Sequence, residues 1–401
     1  MTFALASLAR TLAATALLCG GAIFADTAHA AAAPLTPHPV KLDDGRSFSL
    51  NLPANLEIVP VVQGLKRVRF FARSPDGRVF VTDMQNLSDN KLGRVYALDG
   101  WDEKTERYSK VSVYLDKQRN PNSVAFHTDA AGQSWLYLAN TDKLLRYRYR
   151  SGDLKPSSEP EVLASFPDYG LSYKYGGWHL TRTLAFGGGK LYVSVGSSCN
   201  ACVEKEDVRA AILQMNPDGS QRRIYARGLR NAVGLLYRDG KLYATNQGSD
   251  HLGDQKPDET MFVVNDGADY GWPYCYYSNG KVAADPKFPR KSGCASAPKT
   301  FAYFPSHASA LGLAWFPSSD KGQLSDEFVV ALHGASKLAL NHGYRLVRVK
   351  ADGRSGGDLI TGFLADGKVL GRPCDVLHTG RDSFLFTDDK SGVIYRVRPK
   401  R

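Results

Sequence analysis

The chain has 401 residues, of which 43% are hydrophobic and 23% charged, and it carries a net charge of +11. This composition is typical of a globular protein and excludes a chain that is disordered throughout. The basic residues are scattered and no recognition motif is present, so nucleic-acid binding is not expected, whereas a small anionic ligand is compatible with the charge.

The first thirty residues predict a secretory signal peptide. Arg10 ends a short basic region, the run TLAATALLCGGAIF is too short to span a membrane comfortably, and Ala28-His29-Ala30 forms an A-x-A cleavage signal. A lipoprotein is excluded because Leu18 precedes Cys19 where a small residue is required. No later segment is apolar enough to cross a bilayer. We therefore expect cleavage after Ala30 and a periplasmic or secreted domain of residues 31–401, without stable membrane insertion.

A turn with Asp or Gly, followed by a short alternating apolar strand, recurs six times. Most copies begin about 50 to 60 residues apart, with one wider gap before the fifth, and this spacing is typical of repeat proteins. The copies are SPDGRVFVTD from Ser74, AGQSWLYLAN from Ala131, GGGKLYVSVG from Gly187, RDGKLYATNQG from Arg238, KGQLSDEFVVALHG from Lys321 and GRDSFLFTDD from Gly380.

Further strand-like runs separate the copies, and helical periodicity is absent after the signal peptide. Each unit can supply a four-stranded sheet that covers its faces only by packing against neighbours. The sequence therefore predicts an all-β fold, a single six-bladed β-propeller. The segment from Asp266 to Pro305 is expected to stand over one face as a loop.

His179 lies just before a strand in GGWHLTRTLAF, after two glycines and Trp178. A lone His in this position is usually structural. The glycines permit close backbone approach at a loop, and His has a pKa near working pH, so a general base is the alternative interpretation.

Five cysteines follow the signal peptide, and export permits disulfides. The motif CNAC, Cys199 to Cys202, lacks the following His of a haem site, and no second CxxC exists for zinc, so a local disulfide is favoured. Cys275 with Cys294 could close a surface loop and leave Cys374 unpaired. The connectivity stays open at this point.

Two arginines are candidates for ligand binding, Arg230 at a strand entrance and Arg372 between a glycine and a proline. Arg230 and Asn231 occur in ARGLRNAVGLLY, and Arg372 occurs in GRPCDVLHTG. Each Arg could pair with a carboxylate of a neighbouring blade, or its fixed fork of donors could bind an anionic or carbonyl-rich ligand.

The loop NQGSDHLGDQKPDE, Asn246 to Glu259, concentrates acidic residues directly after a predicted strand. Its acids do not follow EF-hand spacing, but calcium also accepts backbone carbonyls, which Gly248 and Ser249 can expose on a tight turn. A polar turn whose Asp side chains satisfy backbone amides explains the pattern equally well.

Taken together, five segments resemble the glucose/sorbosone dehydrogenase family of quinoproteins, over roughly residues 65–398. The resemblance implies a six-bladed propeller that uses pyrroloquinoline quinone (PQQ) with calcium. The segments are HLTRTLAFGGGKLYVSVGSSCNAC, AAILQMNPDGSQRRIYARGLRNAVGL, NQGSDHLGDQKPDE, DYGWPYC and GRPCDV.

The resemblance also implies roles for individual residues. His179 matches the general base, and Arg230 and Asn231 match the cofactor-contacting pair. Gly248 and Ser249 match the positions whose carbonyls hold calcium, braced by Asp258 and Glu259. Arg372 matches a cationic partner of the cofactor carboxylates.

The sequence departs from the family pattern at three places. Cys374 stands where soluble glucose dehydrogenases have a second arginine, Ala232 replaces a proline, and HGASKLALNHGY differs from the commoner form. His333 or Lys337 is the candidate to supply the missing charge. These departures argue against glucose as the substrate.

The expected activity is oxidation of an aldose or a sorbosone-like sugar aldehyde by hydride transfer to PQQ. Electrons would then pass to an acceptor such as a quinone or a cytochrome. Two alternatives remain: a calcium-dependent lactonase or esterase in which His179 activates water, and a non-catalytic binding propeller.

Overall fold

The structure is a computed structural model that describes residues 1–2, 34–167, 179–290 and 292–400. Residues 3–30 of the predicted signal peptide, its cleavage site and Trp178 lie outside the described residues. The chain divides into a unit of residues 1–32 and a unit of residues 33–401, and the strands of the described residues belong to the second unit.

Six four-stranded antiparallel sheets form the blades, which confirms the predicted six-bladed propeller. From the innermost strand outward, blade 1 contains Val68–Arg73, Val79–Asp83, Gly93–Asp102 and Arg107–Gln118, and blade 2 contains Ser123–Thr128, Ser134–Ala139, Lys143–Tyr149 and Glu161–Ser165. Blade 3 contains Leu184–Gly187, Lys190–Val195, Ala211–Met215 and Arg223–Arg227, and blade 4 contains Ala232–Arg238, Lys241–Asn246, Glu259–Val264 and Ala302–Phe304. Blade 5 contains Ala310–Phe316, Glu327–Leu332, Arg345–Lys350 and Ser355–Ile360, and blade 6 contains Pro373–Gly380, Ser383–Asp388, Val393–Pro399 and Leu56–Val62.

Three hairpins and three short 3₁₀ helices complete the described secondary structure. The hairpins pair Leu35–Lys41 with Ser47–Pro53, Cys275–Ser278 with Lys281–Ala284, and Leu364–Ala365 with Lys368–Val369, and the helices are Asp250–Leu252, Ser318–Asp320 and Leu338–Leu340. Within the described residues, no helix has the length and apolar character needed to cross a bilayer.

The ring closes through blade 6, whose outer strand Leu56–Val62 precedes blade 1 in the chain and pairs with Val393–Pro399. The innermost strands of neighbouring blades contact each other around the ring, and that of blade 6 contacts that of blade 1. Hydrogen bonds between a strand from the N-terminal part of the propeller and its last strand therefore close the ring of blades.

Each junction between blades contains its own hydrophobic cluster. At the junction of blades 1 and 2, for example, Phe80 packs edge-on against Tyr149 and lies with Leu136 in one buried cluster. Six such clusters occupy the six junctions. Apolar burial between sheets, which is the main favourable contribution to folding, is thus spread around the ring.

The predicted loop from Asp266 to Pro305 is only partly a loop. It contains the hairpin of Cys275–Ser278 and Lys281–Ala284, and it ends in Ala302–Phe304, which pairs with Glu259–Val264 as the outer strand of blade 4. The prediction was wrong for this last part, because a three-residue strand leaves too little alternation to be recognised.

A repeated threonine connects three pairs of adjacent blades. In blade 1, the buried Thr82 hydroxyl accepts a hydrogen bond from Phe70 N at 3.0 Å and donates one to Asn122 O at 2.7 Å, just before blade 2. Thr245 and Thr387 make equivalent bonds in blades 4 and 6. In blades 1, 4, 5 and 6, the pairing of the innermost strand with the second strand shifts register near its start. In blades 1, 4 and 6, the threonine hydroxyl satisfies a backbone N–H at this shift.

Replacing Thr82 by Val is expected to destabilise the protein. The variant leaves the buried N–H of Phe70 and the carbonyl of Asn122 without their partner, and one such group costs about 1–3 kcal/mol. Urea denaturation should show a lower midpoint. Thr128→Val removes an exposed hydroxyl as the control and should stay within about 0.5 kcal/mol. Equal midpoints for Thr82→Val and the parent would contradict the role of this bond.

Candidate active site

The start of an innermost strand, the end of the second strand and the start of the third lie at the same edge of each blade. In blade 4, Ala232 pairs with Asn246, which in turn pairs with Thr260. The connections at these edges therefore meet around one end of the central channel.

A cavity of about 300 Å³ lies among these connections. It brings together five predicted site residues, His179, Arg230, Gly248, His333 and Arg372. The remaining lining residues are Gln247, Asp250, Glu259, His307, Ser309, Gly334 and Ser336. A larger cavity of about 800 Å³ between blades 4 and 5 contains none of the predicted site residues, so size alone does not identify the site.

His179 has a left-handed backbone, with φ 48°, directly before blade 3. Its Nδ1 lies 2.9 Å from both the carbonyl and the hydroxyl oxygen of Ser197. The Ser197 hydroxyl donates its hydrogen to Cys199 O at 2.7 Å. These contacts assign the ring proton to Nδ1, which makes Nε2 the acceptor nitrogen.

The electrostatic setting of His179 favours the neutral ring. Burial lowers its pKa well below the ordinary value, and the positive charge of Arg230 acts in the same direction. Gly196 makes the close packing possible, because a Cβ there would lie 2.6 Å from His179 Cβ. A neutral imidazole with an acceptor nitrogen is the form that a general base requires.

The Arg230 guanidinium is held by one residue of the preceding loop. Its Nε donates to Asn200 O at 2.8 Å and its Nη2 donates to Asn200 Oδ1 at 2.9 Å. Within the described residues, the carboxylate that pairs with it is that of Asp250, at 3.9 Å. Arg230 is buried, so its charge acts in a region with little water to screen it.

Asn231 lies behind Arg230 and does not line the cavity. Its Nδ2 donates to Gln247 Oε1 at 2.8 Å, and its backbone N donates to Asn246 Oδ1 at 3.0 Å. Its own Oδ1 is buried and has no hydrogen-bond partner in the described part of the chain. Its role as a cofactor contact stays a prediction.

The loop after Asn246 reaches the cavity through Gly248. A Cβ at Gly248 would lie 2.4 Å from Pro257 Cγ, so only glycine fits. Ser249 lies outside the cavity lining, and its hydroxyl accepts a bond from Trp272 Nε1 at 2.9 Å. Asp258 accepts a bond from Gly280 N at 2.8 Å, which ties the loop to the hairpin that follows.

Glu259 is a buried carboxyl group in the cavity wall. Burial raises its pKa to about 8, although Arg230 opposes the shift. Its Oε2 accepts a bond from Ala310 N at 3.4 Å, across the junction with blade 5. Together with Asp250 it supplies carboxyl oxygens close to Gly248.

Arg372 also lines the cavity and lies against the loop after blade 5's second strand. It donates to Gly334 O at 2.6 Å, to Ala335 O at 3.1 Å and to the Tyr344 hydroxyl at 3.0 Å. Its guanidinium also stacks over the Tyr344 ring at 4.8 Å. Among the described residues, no carboxylate lies within ion-pairing distance of this guanidinium.

His333 and Lys337, the two candidates for an additional charge, behave differently. His333 Nε2 donates to Asp389 Oδ1 at 2.8 Å, and burial lowers the pKa of His333. Asp389 in turn pairs with the buried Arg69 at 2.7 Å. Lys337 lies outside the cavity lining and pairs with Asp254. The geometry therefore supports His333 as a neutral wall residue, and contact of either with the cofactor stays a prediction.

The predicted local disulfide is present, and the connectivity that the sequence left open is resolved. Disulfides join Cys199 to Cys202 and Cys275 to Cys294, and Cys374 is unpaired. Cys374 is fully buried in the channel core and does not reach the cavity. It therefore takes no direct part in the site.

His307 is a site residue that the sequence reasoning missed. Its Nδ1 lies 3.1 Å from Asp250 Oδ1, its Nε2 lies 2.9 Å from Gly253 O, and its φ is 60°. Like His179, Arg230 and Arg372, it precedes an innermost strand. That shared position was the signal that could have found it.

Solved structures with the same fold were found at low sequence identity. The holo form of the pyranose dehydrogenase PQQ domain from Coprinopsis cinerea has 19% identity and a TM-score of 0.69, over 87% of this chain and 97% of that chain. The calcium structure of Trichoderma reesei carbohydrate-active enzymes family AA12 has 16% identity and a TM-score of 0.70, over 91% and 98%. PQQ-bound aldose sugar dehydrogenase from Streptomyces coelicolor has 18% identity and a TM-score of 0.58, over 87% and 100%.

A curated relative from Borreliella burgdorferi, an uncharacterized protein, is 29% identical over 224 residues. The match covers 52% of this chain and 57% of that relative's length. The family model for glucose / sorbosone dehydrogenase matches residues 71–353, which is most of the propeller. The chain therefore belongs to the glucose / sorbosone dehydrogenase family.

Proposed function

We propose that this protein is an exported quinoprotein that oxidises an aldose or a sorbosone-like sugar aldehyde, with PQQ and calcium in the cavity. One observation carries the proposal: a neutral histidine with an acceptor nitrogen, His179, shares a small cavity with two guanidinium groups, Arg230 and Arg372. PQQ-bound and calcium-bound structures among the proteins of the same fold motivate the choice of cofactors.

The residues present fit a polyanionic quinone. Arg372 is satisfied by carbonyl and hydroxyl oxygens and faces no described carboxylate, so its positive charge is left for an anionic ligand. Arg230 adds a second cation, which is buried. Charged hydrogen bonds from guanidinium groups to carboxylates are among the stronger polar contacts in proteins. The two arginines are the residues that would hold the carboxylate and carbonyl oxygens of PQQ.

The residues around Gly248 also fit a calcium ion. Calcium binds six to eight oxygen ligands, from carboxylates, backbone carbonyls and water. The Gly248 backbone, Asp250 and Glu259 line the cavity together, and Ser249 follows in the same turn. We propose that the carbonyls of Gly248 and Ser249 hold the ion and that the Glu259 carboxyl group braces the loop.

The mechanism follows from the positions of the protein groups. When bound, PQQ supplies a two-electron acceptor for hydride. His179 Nε2 takes the proton from the substrate hydroxyl, while Ser197 keeps Nδ1 protonated and the ring oriented. Arg230 places donors where negative charge develops, and such preorganised donors are a major source of rate enhancement. For an aldehyde substrate, the hydroxyl belongs to its hydrate.

The wider setting of the reaction is also part of the proposal. The predicted signal peptide places the enzyme in the periplasm or outside the cell, where its disulfides are permitted. The reducing equivalents would pass to a quinone or a cytochrome.

Reconstitution of the purified apo-protein tests the proposed function. PQQ and calcium together should give sugar-dependent reduction of an artificial dye, and neither alone should suffice. A panel of aldoses, sugar aldehydes and lactones identifies the substrate class. Calcium-dependent lactone hydrolysis that is indifferent to PQQ would contradict the proposal and favour the lactonase alternative.

Calcium removal is expected to abolish dye reduction without unfolding the protein. The candidate ligands are mainly backbone oxygens of a loop, whereas the hydrophobic core lies in the blade junctions, so a chelator should leave the far-ultraviolet circular dichroism unchanged. Added calcium should restore activity. Full activity in a chelator-treated, calcium-free sample, or a calcium-soaked crystal with no ion beside Gly248, would contradict the metal assignment.

A further inference from the structure

Asn200 lies in the loop after the second strand of blade 3, inside the disulfide of Cys199 and Cys202. The disulfide closes a loop of only four residues, CNAC. Asn200 touches two elements that line the cavity, although it does not line the cavity itself.

Asn200 provides both oxygens that hold the Arg230 guanidinium. Its backbone carbonyl accepts from Nε at 2.8 Å, and its side-chain Oδ1 accepts from Nη2 at 2.9 Å. Two neutral oxygens on one residue thus fix the plane of the guanidinium. These neutral oxygens do not neutralise its positive charge, which the Asp250 carboxylate approaches only to 3.9 Å, so the guanidinium can still attract an anionic ligand.

The same side chain connects blade 3 to the loop of blade 4. Asn200 Oδ1 also accepts a hydrogen bond from Asp250 N at 2.9 Å. Asp250 follows Gly248 and Ser249 by one or two residues, so Asn200 contacts both the cationic and the metal-binding halves of the candidate site.

The disulfide loop also supports His179. Cys199 O accepts the Ser197 hydroxyl hydrogen at 2.7 Å, and this bond leaves the Ser197 oxygens to accept from His179 Nδ1. Beyond the disulfide, Glu204 accepts from Ser198 N and Oγ, both at 2.7 Å. The CNAC loop is therefore anchored at both ends.

We propose that Asn200 is a positioning residue for Arg230, and that the Cys199–Cys202 disulfide is the strap that holds it in place. The consequence for cofactor binding rests on the proposed function, whereas the positioning itself does not.

The disulfide strap is needed because one of the two oxygens that hold Arg230 is the backbone carbonyl oxygen of Asn200. The Asn200 carbonyl can point at Arg230 Nε only while the loop keeps its conformation, and a covalent closure restricts the alternatives. Both cysteines are partly exposed, so a dithiol reagent can reach them. Two electrons and two protons from the dithiol would convert the S–S bond into two thiols, with the reagent oxidised to its own disulfide.

The first measurement reads the position of Arg230 without any cofactor. Phenylglyoxal modifies accessible guanidinium groups, and peptide mass spectrometry follows the rate at Arg230. Asn200→Ala removes the side-chain oxygen, and the pair Cys199→Ser and Cys202→Ser removes the strap. Both should be modified several-fold faster at Arg230, with Arg372 as the internal reference at its parental rate.

Two controls distinguish the loss of the hydrogen bonds between Asn200 and Arg230 from a general loosening of the structure. Asn200→Asp keeps an oxygen acceptor at the same place and should restore the slow rate. The pair Cys275→Ser and Cys294→Ser removes the other disulfide, which does not touch Arg230, and should leave the rate unchanged. Parental rates at Arg230 in both Asn200→Ala and the strap variant would overturn the proposal.

The second measurement is PQQ affinity by fluorescence titration. Loss of one hydrogen bond to a charged group corresponds to about 10-fold or more in affinity, so Asn200→Ala should bind PQQ at least about 10-fold more weakly. Asn200→Asp places a carboxylate against Arg230, which competes with the anionic cofactor, so this variant should restore the slow labelling rate but not the PQQ affinity. Unchanged affinity in Asn200→Ala, with PQQ binding in the parent intact, would overturn the link to cofactor binding. A parent protein that binds no PQQ would contradict the proposed function. The phenylglyoxal labelling would still decide whether Asn200 positions Arg230.

Discussion

Replacing His179 by Asn is expected to lower turnover by about 10²- to 10⁴-fold in protein loaded with PQQ and calcium. Asparagine keeps a polar side chain that can still reach Ser197, but it cannot accept a proton at neutral pH. PQQ affinity should therefore persist while the chemical step slows. Steady-state dye reduction together with a PQQ titration separates the two effects.

His127→Asn is the matched control, because His127 lies on blade 2 and stacks on Phe186 at 4.8 Å, away from the cavity. It should leave turnover unchanged. The pH profile gives a second check. A base acts above its pKa, and that of His179 is lowered well below 6.5. The rate should therefore hold between pH 7.5 and 6.5 and fall only in more acidic buffer. Parental turnover in His179→Asn would show that the histidine is structural.

Replacing Arg230 by Ala should reduce both cofactor affinity and rate. The guanidinium is buried and close to His179, so its loss removes the group proposed to bind the quinone and to stabilise developing negative charge. Removing one such donor costs about 10²- to 10³-fold in turnover, and a lost charged hydrogen bond costs about 10- to 100-fold in affinity. PQQ titration and single-turnover rates measure the two losses.

Arg230→Lys refines this result, since lysine keeps the charge but lacks the planar fork that fits Asn200 and a carboxylate. It should recover part of the affinity and little of the rate. Arg223→Ala is the control, because Arg223 is an exposed residue that pairs with Asp266. An Arg230→Ala variant with parental PQQ affinity would exclude Arg230 as a cofactor contact.

Much of the fold could be predicted because the repeated strand is buried and alternates regularly. All six predicted copies form the second strand of a blade, such as Lys241–Asn246 and Ser383–Asp388. The outer strand of blade 4 was missed because it has three residues, and the pairing of Leu56–Val62 with the last strand depends on ring closure. No local pattern encodes a contact between residues more than 300 positions apart.

The sequence identified residues that line the candidate site where a glycine or a family motif marks them, as for Arg230, Gly248 and Arg372. It did not identify the residues that support the site, because they act across blades. Arg69 meets Asp389 over a separation of 320 residues, and Asn200 meets Arg230 over 30. Lys337 was suggested by its charge and its proximity in sequence to His333; its side chain pairs with Asp254, and its contact with the cofactor stays a prediction.

An anaerobic single-turnover experiment tests most directly whether the protein oxidises a sugar by transferring hydride to PQQ. Protein loaded with PQQ and calcium is mixed with the best aldose or sugar aldehyde, without any electron acceptor, and the absorbance of the bound cofactor is followed. We expect reduction of one cofactor per protein chain, at a rate that falls in His179→Asn and Arg230→Ala. Substrate consumption without cofactor reduction, or no reduction by any aldose or sugar aldehyde, would contradict it.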